Sequence, residues 1–149
     1  PIYPLLLFQN YSIILNLVIL IHLFYTAISM FYLSKYLFKD RDVALISALS
    51  LLGTGIIYSG AMFELIEWLV PASHIPLLVY LALKSLNNKS MRLGGLCALI
   101  LSLQYYSGGV AIFIYSLLIV GILYFIYLVD YFIKNKKIMW KFFLLVFLF

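Results

Sequence analysis

Long apolar runs alternate with short polar turns, and the turns divide the chain. Apolar runs occupy roughly residues 12–38, 43–61, 76–86, 93–106 and 110–133, and another opens at Phe142. None shows sustained alternation of apolar and polar residues, so strands are not expected. Crossing a bilayer core takes about 20 apolar residues of helix. Backbone amides in lipid must also find partners inside their own segment. The pattern predicts an all-α, polytopic integral membrane helix bundle of about five complete spans plus a truncated sixth. The runs at 76–86 and 93–106 are short for a crossing, and the third span could borrow from the stretch before it.

The turns carry their own signals. Residues 1–10 hold two prolines and no charge, and read as an outer segment leading into the first span. Lys39-Asp-Arg-Asp42 and Asn87-Asn-Lys-Ser-Met-Arg92 are polar turns, and Ser107-Gly-Gly109 breaks the fourth run. Gly53, Gly55, Ser59 and Gly60 would allow a neighbouring helix to approach the second span closely. Asn16 and His22 lie on opposite sides of the first span by the 3.6-residue period. The chain reads as one transmembrane domain over 1–149. It begins at Pro1 and stops inside an apolar run at Phe149, so it is expected to be a fragment of a longer chain.

Composition settles the solvent. The chain is 66% hydrophobic and 10% charged, against about 45–50% and about 25% for soluble domains. Thirteen Tyr and twelve Phe suit interfacial aromatic belts. The single Cys, Cys97, excludes an internal disulfide and a Cys-based metal cluster, and its apolar surroundings mark it as a small packed residue. The net charge of +5 does not imply a nucleic-acid partner, because the basic residues gather at span ends. They fall at 35, 39 and 41, at 84, 89 and 92, and at 134, 136, 137 and 141. One crossing between successive turns puts all three clusters on one side. By the positive-inside rule, the protein is a multi-pass cell-membrane protein. The turns at 35–41, 84–92 and 134–141 are cytoplasmic, and residues 1–10, 62–75 and 107–109 are external.

Candidate chemistry lies on the external side, around Met62–Pro76. Glu64 and Glu67 are three apart and share a helix face. They could hold a divalent cation such as Mg or Mn, or one could serve as a base. The competing reading is an interfacial helix with solvated carboxylates and with Phe63, Ile66 and Trp68 in lipid. His74 could bind an anionic headgroup or carry a proton, or simply cap a helix. His22 is an intramembrane ionisable group, a functional hint in itself, with no acid at helical spacing. Gln104 and Tyr105 could hydrogen-bond a sugar, or form an aromatic belt above a helix stop. Asp130 is explained by Lys134 four residues on. No P-loop, GxSxG, HExxH or Cys/His cluster is present.

The order of features resembles the YfhO-like membrane proteins of the broad GT-C group of glycosyltransferases. The resemblance rests on Asn10-Tyr-Ser, Ile21-His-Leu-Phe-Tyr-Thr-Ala27, Ala44…Ser50…Tyr58-Ser-Gly60, Ile75-Pro-Leu-Leu, Leu81-Ala-Leu-Lys-Ser-Leu86, Leu93-Gly-Gly-Leu96 and Leu101-Ser-Leu-Gln-Tyr-Tyr-Ser-Gly108. It covers about residues 1–110 and consists of loose hydrophobic patterns. It departs at His74, where relatives often carry an aromatic, and at Gly109, where they often carry a His. The resemblance implies a GT-C-like bundle that transfers sugar from a polyprenyl-phosphate-type lipid-linked donor at the outer face. It puts the principal catalytic acid in a first outer loop, upstream of Pro1. Glu64, Glu67, His74, Gln104 and Tyr105 remain as substrate-binding candidates. The alternatives are a transporter or flippase-type carrier without covalent chemistry, and a membrane assembly subunit. The topology has a direct check. Cysteines introduced at position 39 or 89 of a Cys97-free chain are expected to resist an impermeant thiol reagent added outside and to react once the membrane is opened.

Overall fold

The computed structural model describes residues 11–54 and 66–134, and all elements among them are helices. In chain order they are α1 (Tyr11–Phe38), α2 (Arg41–Leu52), α3 (Ile66–Ser73), α4 (Ile75–Asn88), α5 (Met91–Tyr106) and α6 (Val110–Lys134). Three stretches are long and apolar enough to cross a membrane: Ile13–Phe38, Trp68–Asn88 and Val110–Lys134. Most large side chains on the outside of the bundle are apolar, a surface that fits lipid rather than water.

Helix ends follow local chemistry. Asp40, in extended conformation, caps α2 by accepting bonds from the amides of Asp42 and Val43 at 2.7 and 3.2 Å. α1 and α4 both end on a lysine in the left-handed region, Lys39 at φ 56 and Lys89 at φ 49. Glycine is the usual residue there. Lysine in this place strains the backbone, but its charge favours the negative end of the helix dipole.

One expected boundary differs from that observed. The second helix closes at Leu52, with Gly53 as its C-cap. Its 12 residues span about 18 Å, less than a bilayer core; residues 55–65 lie outside the described region. The third span starts a helix at Ile75 and also borrows the stretch before it, so that the apolar run extends from Trp68 to Asn88. Helix already runs through Trp68-Leu-Val-Pro-Ala-Ser73, where Leu69, Val70, Pro71 and Ser73 are buried. Residues 68–73 of the expected external segment at 62–75 thus form helix within the apolar stretch Trp68–Asn88. The cause is the apolar run Leu69–Ala72, which gains packing partners inside the bundle. α5 has 16 residues and is shorter than the three apolar spans. Among the described residues three apolar helices are long enough to cross a membrane; the expected five complete spans and a sixth also draw on residues outside the described region.

The α3–α4 rod is central and packs against α1, α5 and α6, while α2 lies against α1. The core where α4 meets α5 holds Leu78, Leu81, Ala82, Cys97 and Ile100. Cys97 sits there as a small packed residue, its Sγ 4.0 Å from the Leu78 carbonyl. In lipid, helices associate through close packing and interhelical hydrogen bonds. Small residues therefore recur at the contacts. Ala44 and Ala48 are buried one turn apart on α2, and Thr26, Ser29 and Ser34 are buried on α1. Thr26 and Ser29 bond their own helix, to the carbonyls of His22 and Tyr25, which satisfies the hydroxyl without a partner helix.

Side-chain bonds show how the helices run. The Asn87 amide donates to the Tyr36 hydroxyl, and Ser85 shares a 2.8 Å bond with Tyr124. The C-terminal parts of α1 and α4 and the second half of α6 therefore lie at one end of the bundle. That end carries Lys35, Lys39, Arg41, Lys84, Lys89, Arg92 and, further out, Lys134. The described basic residues gather at one end, as the charge pattern predicts. Asp130 and Lys134 pair at 2.7 Å, an exposed contact of about 0.2–0.5 kcal/mol. The core has a simple test. Leu78, fully buried, is expected to cost about 2–5 kcal/mol when cut to alanine. Met91→Ala, on the surface, should leave thermal unfolding in detergent unchanged.

Candidate functional site

The break in the central rod builds the site. Pro71 lies inside α3 and Pro76 in the first turn of α4. Neither has an amide hydrogen, so the carbonyls of Glu67 and Ala72 lose their usual helical donors. His74 sits at the break as a turn residue, with its amide bonded to the Pro71 carbonyl at 3.2 Å. A second donor reaches that carbonyl from another helix: Gln104 Nε2, at 2.9 Å. A carbonyl only accepts, so the orientation of the Gln104 amide is fixed. Its Oε1 is then buried with no hydrogen-bond partner among the described residues.

Across from the break stands His22 of α1. Its Nδ1 lies 2.9 Å from Ser73 Oγ, and Ser73 Oγ donates to the Val70 carbonyl at 2.7 Å. With its proton given to Val70, the serine oxygen accepts, so His22 carries its proton on Nδ1 and keeps the lone pair on Nε2. Hydrogen-bond accounting assigns this tautomer. The His22 ring lies 6.0 Å from that of His74, and Tyr25 lies 5.1 Å from His74 and 6.5 Å from His22, all edge to face. His74 Nδ1 is buried without a partner among the described residues.

The bond from Asn87 to Tyr36 and the bond between His22 and Ser73 each join residues 51 apart in sequence. α1 and the α3–α4 rod thus run parallel in one register from His22 to Tyr36, about 21 Å of helix. The break does not disturb it. His22, Ser73, His74 and Gln104 accordingly form one polar layer roughly 20 Å from the basic end.

The sequence candidates fare differently. Glu64 lies outside the described residues, as does the side chain of Glu67, whose backbone is in α3. A Mg or Mn site on these two carboxylates therefore falls outside the described region. Among the described residues no three His, Cys, Asp or Glu side chains converge. His74 is in the layer, and does not cap α4 with its side chain. Gln104 is fully buried and holds the Pro71 backbone, so its donor is engaged within the protein. Tyr105 is exposed and packs edge to face on Tyr106 and Phe113, as an aromatic belt would. Sequence reasoning named His22 but missed its partners, since no local spacing reports a contact across 51 residues.

Comparison with known proteins gives no relative: no protein family, curated protein or solved structure matches the chain. The tie from Gln104 to Pro71 yields a stability prediction. Gln104→Leu removes the donor from a buried carbonyl and is expected to cost about 1–3 kcal/mol. Gln104→Glu should cost at least as much, because an ionised carboxylate cannot donate and would be buried. Thermal unfolding of the two variants in the same detergent checks this.

Proposed function

We propose that this chain is the membrane part of a GT-C-like glycosyltransferase that takes sugar from a polyprenyl-phosphate-type donor at the outer face, with its basic end in the cytoplasm. The observation that carries the reading is the polar layer of His22, Ser73 and His74 on α1 and the broken rod. Polar groups inside lipid are costly and mark function by default, and His22 and His74 both lie within apolar stretches long enough to cross a membrane. Imidazoles there can hold phosphate or accept a proton. Glu64 and Glu67 follow from the resemblance as the nearest acids in sequence, and the principal acid as one carried upstream of Pro1. The reading rests on this layer and on the loose resemblance.

A second reading, a carrier without covalent chemistry, is favoured by one feature. A discontinuous helix with polar groups inside the membrane is a common substrate site in transporters, and Pro71–Pro76 is such a break. Genetics separates the two. Deletion of the protein is expected to abolish a surface glycan, and Glu64→Ala should fail to restore it. Glycan retained on deletion, with uptake or lipid flipping lost in His22→Ala but not in Glu64→Ala, would establish the carrier instead.

A further inference from the structure

At the basic end, the seam between α1 and α4 is rich in hydrogen-bond donors that the protein does not use. Lys84 Nζ donates to the Tyr80 hydroxyl at 2.9 Å, and the Asn87 amide donates to the Tyr36 hydroxyl. Each hydroxyl therefore accepts, and its own hydrogen has no acceptor among the described residues. We propose that this seam binds one anionic phospholipid of the adjoining leaflet, with its phosphate held by Lys84, Tyr80, Tyr36 and Asn87. The proposal goes beyond the functional reading above and does not need it.

Three observations carry it. The first is the donor balance. After the bonds already made, the Lys84 ammonium, the Asn87 amide and both tyrosine hydroxyls still have hydrogens to give. A cluster with unspent donors and one ammonium charge fits an anion with several oxygens, and a phosphate is such an anion.

The second is charge. The one ion pair among the described residues joins Lys134 to Asp130, so Lys84 has no carboxylate partner there, and neither do Lys35, Lys39 and Lys89. Asp40 spends its Oδ1 on the cap of α2. The register of 51 residues sets Lys89 beside Phe38, so Lys39 and Lys89 close their helices at one level. The positive-inside pattern accounts for basic residues at this end. It does not account for a half-buried lysine, one turn inside the end of α4, held in place by a tyrosine.

The third is the surface beside the donors. Tyr36 and Tyr80 meet edge to face at 5.7 Å, and Tyr32 lies 6.3 Å from Tyr80. From Tyr32, exposed apolar side chains continue along α1 through Ile28 and Phe24, away from the basic end and at four-residue spacing. The seam thus offers a charged, donor-rich end and then an apolar strip, which is the order of parts in a phospholipid. Free phosphate would use the first and leave the second. Basic pockets between transmembrane helices are a recurrent form of anionic-lipid site.

The test uses the full chain in nanodiscs of phosphatidylcholine with a minor share of phosphatidylglycerol. After transfer to detergent, native mass spectrometry should show one phosphatidylglycerol retained per chain, and phosphatidylcholine lost. Lys84→Gln should weaken retention about tenfold, and Tyr36→Phe or Tyr80→Phe, each losing a single oxygen, about threefold. Lys134→Gln, with the same loss of charge, should retain the lipid as the unaltered protein does. A phosphatidylglycerol with a photoreactive group beside its phosphate should label the unaltered protein around Tyr36 or Lys84, a readout that needs no variant to fold. Equal retention of phosphatidylcholine, labelling centred on Lys134, or unchanged retention in well-folded Lys84→Gln would overturn the proposal. Displacement of the lipid by millimolar inorganic phosphate would mark a site for a soluble anion and overturn it as well.

Discussion

Backbone amides in lipid have no water to turn to, and the structure depends on how the central rod meets that constraint. Two prolines five residues apart remove two ladder bonds from the helix that every main neighbour except α2 touches. The rod stays in the bundle because other groups compensate around the break. The His74 amide closes a tight turn on the Pro71 carbonyl, and Gln104 brings a side-chain donor from α5 to the same oxygen. Ser73 is drawn in as well, linking the rod to His22 on α1. The polar layer is thus a consequence of the break. A straight helix over 68–88 would need neither the glutamine nor the serine.

The two ends of the α1 contact show how rigid this arrangement is. Near the basic end, Asn87 meets Tyr36, Tyr80 packs edge to face on Tyr36, and Lys84 bonds Tyr80. At the layer, His22 meets Ser73 in the same register. Between them lie Thr26 and Ser29 of α1, whose hydroxyls are satisfied by their own helix, so close approach leaves those two donors paired. The imidazole pair is therefore held from two helices that are tied to one another at both ends of the contact.

Much of the architecture was legible in the sequence, for physical reasons that also explain the misreadings. The bounds of α1, α5 and α6 follow from apolar runs ended by charge or glycine. The gathering of basic residues at one end follows from the alternation of turns. That the central rod carries on through Pro71–Pro76 was left open, because the donor that offsets the break sits 33 residues away on Gln104. For the same reason the tie from Gln104 Nε2 to the Pro71 carbonyl was not legible in the sequence. His22 appeared isolated because its partners are distant in sequence. Glu64 and the Glu67 side chain lie outside the described residues, so their pairing stands as a sequence expectation.

α1 and the broken rod run parallel in a single register across the break. Cysteine pairs test it directly, in a chain with Cys97 replaced by serine. Cysteines at 22 and 73, and separately at 36 and 87, should both be joined by a short bifunctional thiol reagent in native membranes, while a pair at 22 and 87 should not. Cross-linking at 36 and 87 alone, or at 22 and 87, would mean that the rod does not carry the register through Pro71–Pro76 and that the polar layer is not assembled as described.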